Sequence, residues 1–200
     1  MANANTPMGL VPRFNGDGTP WNGQTRRCYI AAGATNDLVV GPGDVVILDT
    51  ADANKDATGK FPTVMRATSG TELYGVVTSV VMETADSTLY RAIGEARYVN
   101  VVVDPLCIYE AQEDGDTTDM SDTSPGKNVE LLVGTTPTTG SGAGISGMQL
   151  DSSTAATTIG HDLKVISLVD RPDNAFGDYA KWLVQINHHQ LADNKVGIGA

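Results

Sequence analysis

The stretch Lys164-Val165-Ile166-Ser167-Leu168-Val169, then Asp170-Arg171-Pro172-Asp173-Asn174, then Tyr179-Ala180-Lys181-Trp182-Leu183-Val184-Gln185-Ile186-Asn187, decides the fold class. Two apolar runs flank a Pro-Asp-Asn turn signal. In the second run Trp182, Val184 and Ile186 alternate with Leu183, Gln185 and Asn187, the period of a strand with one buried face. The stretch predicts a β-hairpin with a loop of eight or nine residues.

Working outward, the same pattern recurs at short intervals. Strand signals lie at 27–30, 38–40, 44–48, 63–66, 72–82, 91–93, 96–103, 106–110 and 128–133. Gly41-Pro42-Gly43 between the second and third of these predicts a hairpin, and Gly94-Glu95 predicts another between 91–93 and 96–103. Residues 72–82 carry apolar side chains on both faces, so this strand is expected to be covered on both sides. Gly75 inside it points to a bulge or a close backbone approach. No stretch keeps a helical apolar period for three turns; the best candidate, 174–181, is one or two turns at most. The fold class predicted is all-β, a β-barrel or a sandwich of jelly-roll type.

Composition agrees. The 200 residues include 22 Gly and 9 Pro, 40% are hydrophobic and 18% charged, and 24 acids against 13 bases give a net charge of −11. Such a balance argues against a helical bundle and against a nucleic-acid partner, which needs local Lys and Arg. No apolar window has the length of a membrane span, and the N-terminus lacks the charged and apolar regions of a secretory signal. Seven acids and no base fall between Asp104 and Asp122, either a solvated loop or a docking surface for a basic patch. Cys28 and Cys107 sit in apolar runs; buried free thiols are favoured over a disulfide.

Residues 1–27, with Pro7, Gly9, Pro12, Gly16, Gly18, Pro20 and Gly23, read as an extended N-terminal arm, and 28–200 as the β domain. The arm carries Leu10, Val11, Phe14 and Trp21, too apolar to stay solvated. Trp21 packs either on its own domain or as an anchor in a neighbour. Arg13, Arg26 and Arg27, the bases nearest that anchor, could pair with acids on a partner. Residues 134–160, rich in Thr, Ser and Gly, read as a long loop.

Signatures of chemistry fail in their contexts. Gly142-Ala143-Gly144-Ile145-Ser146-Gly147 fits a dinucleotide fingerprint but lacks the preceding strand and following helix. The loop from Asp52 begins like a calcium loop, but Ala57 and Thr63 stand where Gly and Glu are required. His188 and His189 are adjacent and would point to opposite faces of a strand. No catalytic residue, cofactor site or metal site is assigned, and the chain is expected not to be an enzyme.

Several segments resemble the head decoration, or capsid cement, proteins of tailed bacteriophages. The carrying residues are Met8-Gly9-Leu10-Val11-Pro12, Pro20-Trp21-Asn22-Gly23-Gln24, Tyr74-Gly75-Val76-Val77, Arg97-Tyr98-Val99, Asp104-Pro105, Gln112-Glu113-Asp114, Arg171-Pro172-Asp173-Asn174 and Trp182-Leu183-Val184. The resemblance implies a virion protein without chemistry, assembled in the host cytoplasm. It would bind the major capsid protein on the outer head surface and associate with itself, as a homotrimer. Leu10, Val11, Arg13, Phe14, Trp21, Arg26 and Arg27 are then the expected contact residues, with no nucleic-acid or membrane partner. The rival readings are a surface-displayed carbohydrate-binding or adhesive β-module, which needs a cluster of exposed aromatics, and a small jelly-roll enzyme with a histidine-bound metal.

Overall fold

The computed structural model describes residues 3–33, 37–51, 54–140 and 142–192. These form eleven strands: β1 Val11–Phe14, β2 Arg26–Ile30, β3 Val45–Leu48, β4 Val64–Arg66, β5 Gly75–Val80, β6 Arg97–Val102, β7 Ile108–Gln112, β8 Asn128–Leu132, β9 Gln149–Ala156, β10 Leu163–Leu168 and β11 Lys181–Ile186. They pair antiparallel in two sheets, one ordered β1-β7-β11-β10-β8-β9 and the other β2-β6-β5-β3-β4. The all-β expectation holds in its sandwich form, and neither sheet closes into a barrel.

Both sheets nonetheless curl. A parallel bridge between Tyr29 and Thr63 joins β2 to the residue before β4, the two edges of the five-stranded sheet. Another, between Glu113 and Leu150, joins the end of β7 to β9. The curl separates two cores. The larger gathers Tyr109, Val129, Leu131, Leu163, Trp182 and Val184 from the six-stranded sheet with Val45, Val76 and Val102 from the other. The second, with Cys28, Val46, Val64, Val77, Val99 and Val101, belongs to the five-stranded sheet and its connections. Val76 and Val77, neighbours on β5, enter different cores, so both faces of that strand are covered, as the apolar pattern of 72–82 requires. A Cβ on Gly75 would lie 2.2 Å from the Val102 carbonyl oxygen, which explains the glycine as a close approach. The bulge in this ladder falls between Val77 and Ser79.

The terminal hairpin β10–β11 forms as predicted, with Trp182, Val184 and Ile186 buried and the residues between them half-buried. Both cysteines are buried free thiols, and burial pushes Cys28 up to about 12 and Cys107 up to about 11.

Three expectations about strand pairing and loops change. The 38–48 hairpin does not form: Val40 bridges Arg91, while β3 pairs with β4 and β5. The turn is instead closed by Asp44, whose carboxylate accepts the Gly41 amide at 2.8 Å. Nor do residues 91–93 pair with β6. Arg91 is fully buried, donating to the carbonyls of Leu38, Ala31 and Glu95. Finally, 134–160 is no plain loop, because it contains β9, an edge strand that buries Leu150 and Ser152.

The residues read as an arm are integral to the fold. Leu10 is 1% exposed in the larger core, β1 pairs with β7, and Arg26 and Arg27 already belong to β2. Residues 1 and 2 of that segment, and 193–200 at the other end, lie outside the described residues.

Candidate functional site

The segment leading into β1 crosses the 41–44 turn at very close range. The Leu10 amide donates to the Gly43 carbonyl at 3.0 Å, and a Cβ on Gly43 would lie 2.1 Å from the Met8 carbonyl oxygen. Gly43 also has φ +90°, a conformation L side chains rarely adopt. Beside this crossing opens an apolar groove of about 520 Å³, walled by Met8, Leu10, Val11, Trp21, Pro42 and Ile145, with Arg13 on its rim.

A buried polar hub fixes the groove's floor. Asp44 is fully buried and accepts from the Thr136 hydroxyl at 2.7 Å, the Ser146 hydroxyl at 2.6 Å and Arg66 Nη2 at 3.1 Å, besides the Gly41 amide. Arg66, itself 4% exposed, also donates to the Gly134 carbonyl. One carboxylate thus ties the 41–44 turn, β4 and the 134–147 segment together. The Gly-rich 142–147 motif serves this hub through Ser146 and leads into β9, not a helix. Sequence reading missed Asp44; its place three residues after Gly41 in a Gly-Pro-Gly turn is the local signal.

Of the expected contact residues, the groove brings together Leu10, Val11, Arg13 and Trp21. Leu10 forms its base more than its surface. Trp21 is half-buried and packs on the larger core, the local alternative left open by the sequence. Phe14 lies outside the groove, bridging Pro20 and facing Ile108 across the ladder.

The three arginines part company. Arg13 Nε donates to Glu110 Oε2 at 2.9 Å, and Arg171 Nη1 lies 3.0 Å from Glu110 Oε1. That buried carboxylate therefore holds β1 against the β10–β11 loop. Arg26 donates to the Tyr74 hydroxyl at 3.1 Å, at the mouth of the second core. Arg27 points the other way. Its guanidinium lies 4.6 Å from the ring centre of Tyr98 and 5.6 Å from that of Phe61. Tyr29 and Phe61 both pack on Tyr98 with ring centres 5.4 Å apart. Tyr98 donates to Asp56 at 2.9 Å, which raises its pKa, with burial and the Asp56 charge adding to this. Residues 52 and 53 of the calcium-like loop lie outside the described residues. Its Asp56 accepts from Thr58, the Lys60 amide and Tyr98.

The histidines do not converge. His161 Nε2 is 3.6 Å from Glu130, His188 Nε2 is 3.5 Å from Glu72, and buried His189 accepts the Leu191 amide at 2.9 Å. Among the described residues, the one grouping with metal-ligand spacing is Asp114, Asp116 and Asp151, each with a carboxylate oxygen within 4.8 Å of the others. Asp119 lies against Asp178; loss of surrounding water, that contact and the charges of Asp178, Asp116 and Asp114 raise its pKa. No helix among the described residues is long and apolar enough to cross a membrane. In comparisons with known proteins, no protein-family model, curated protein or solved structure matches the chain.

Proposed function

We propose that this chain is a non-enzymatic structural protein of a phage virion, decorating and stabilising the head from outside by docking on the major capsid protein lattice. The observation that carries the reading is the apolar groove beside β1. It offers a half-buried tryptophan, flanking aliphatic side chains and a sheet-edge strand to an extended partner segment, the elements of strand-addition recognition. The sequence resemblance to decoration proteins supplies the identity of the partner. Weak contacts repeated over a symmetric shell sum by avidity, and a ligand of the closed shell stabilises it by mass action.

Co-sedimentation with expanded empty heads tests the proposal. The intact protein pellets with the heads, and Val11→Asp and Trp21→Ala, checked for fold by circular dichroism, each weaken binding at least about tenfold, as truncation of a central anchor does. An intact protein that stays in the supernatant overturns it. Deleting 1–27 is the wrong test, because Leu10, β1 and the start of β2 would go with it.

The carbohydrate-binding alternative has one observation in its favour, the Tyr29, Phe61 and Tyr98 cluster. Arg27 lies over the Tyr98 ring, however, where a sugar would stack. Glycan-array binding lost in Tyr98→Ala would select that alternative.

A further inference from the structure

We propose that the Arg27–Tyr98–Phe61 face is a self-association surface, and that its occupant is the acidic bend around Asp116 and Asp119 of a second copy of this chain. The inference rests on the self-association in the reading above, not on the capsid contact.

The argument starts from where the positive charge goes. Of the seven arginines, Arg13, Arg66, Arg91, Arg97 and Arg171 each meet a carboxylate, and Arg26 is engaged by Tyr74. Among the described residues Arg27 has no carboxylate within ion-pair distance. Arg26 and Arg27 are both exposed, but Arg26 spends a donor on the Tyr74 hydroxyl, whereas Arg27 keeps its fork for a carboxylate. Its guanidinium is stacked on Tyr98, so its planar fork is already oriented, and less freedom is lost when a carboxylate binds across it. Phe61 and Tyr29 widen the contact with half-buried aromatic surface.

The complementary surface lies on the same chain. Asp114, Asp116, Asp119 and Asp178 crowd together, and none forms an ion pair among the described residues. A cation brought there relieves their mutual repulsion. Arg27 stands on β2 of the five-stranded sheet and the bend follows β7 of the six-stranded sheet. Among the described residues, no hydrogen bond or ion pair joins the two patches. Two different surfaces of one chain that fit each other make a head-to-tail interface, which closes into a ring when the rotation permits.

Native mass by light scattering is the measurement, on the full chain. The intact protein is assembled in 0.15 M salt, and its assembled fraction falls several-fold in 1 M salt, because exposed ion pairs are screened. Arg27→Glu alone, and Asp116→Lys with Asp119→Lys, each lower the assembled fraction at least tenfold; all three substitutions in one chain restore it. Mixing the two defective variants restores association in alternating order, since every junction between unlike variants joins opposite charges, and such an alternation closes only rings with an even number of chains. An intact protein that runs as a single chain, an Arg27→Glu variant of unchanged mass, or a triple variant that stays dissociated overturns the proposal. Head co-sedimentation is scored separately, so failure of capsid binding with unchanged native mass counts against the decoration reading alone.

Discussion

Replacing Asp44 by alanine tests whether the buried hub holds the groove. The substitution removes an acceptor from four donors at 2.6–3.1 Å and leaves the Arg66 charge, 4% exposed, with only the Gly134 carbonyl. Removing one partner of a buried ion pair costs about 3–5 kcal/mol, because the other charge remains desolvated and unpaired. The lost hydroxyl and amide bonds do not add in full, since they belong to the same network. At ~2–4 °C per kcal/mol for a chain of this size, the melting temperature should fall by about 10 °C. The companion variant Asp44→Ala with Arg66→Met removes the stranded charge and should recover about 1–3 kcal/mol of the loss. Thermal unfolding followed by far-ultraviolet circular dichroism reads both. A single variant melting within ~2 °C of the parent, or a double variant no more stable than the single, would refute the reasoning.

Stability should also fall as pH rises through neutrality. Burial pushes Glu113 up to about 8 and Asp162 up to about 7, so the folded chain holds protons that the unfolded chain releases above 4.5 and 3.8. Stability from these two groups is complete in acid and declines until pH passes about 8. His189, lowered by burial to about 4, has the opposite sign and acts only as pH falls from 6.5 to about 4. Urea midpoints between pH 6.5 and 8.5 should therefore drop in the parent and drop less in Glu113→Gln; parallel profiles would exclude Glu113 as a source. Leu10→Ala should cost roughly 2–5 kcal/mol in urea unfolding, as for any core leucine, whereas a detached arm would lose almost nothing. Gly75→Ala should cost roughly 1–3 kcal/mol or more and accelerate amide exchange in β5 and β6, because its Cβ would press on the Val102 carbonyl.

The sequence made some of this plain and hid the rest for physical reasons. The alternation in β11 was legible because Trp182, Val184 and Ile186 face one core while Lys181, Leu183 and Gln185 do not. The doubly covered β5 was legible from its apolar residues on both faces. β9 was not, because it is an edge strand whose only fully apolar buried residue is Leu150; Asp151, Ser152, Ser153 and Thr154 resemble a loop in composition. Gly41-Pro42-Gly43 has the composition of a simple reversal, but the partner of Val40 is Arg91, a charged residue whose type belongs at the surface. Within the candidate site, Trp21, Val11 and Arg13 could be named from type and position. The separation of Arg26 from Arg27 needed the strand's two-residue period and the bulk on each side of it.

The bridge Tyr29–Thr63 has a consequence at high protein concentration. Molecules crowded shoulder to shoulder are at risk of fusing backbone to backbone into fibres wherever a long, flat border of amides is on offer. Stitching β2 to the residue before β4 turns the rims of the five-stranded sheet inward and shortens that border, so that neighbours meeting there do so through side chains, whose pairing can be reversed.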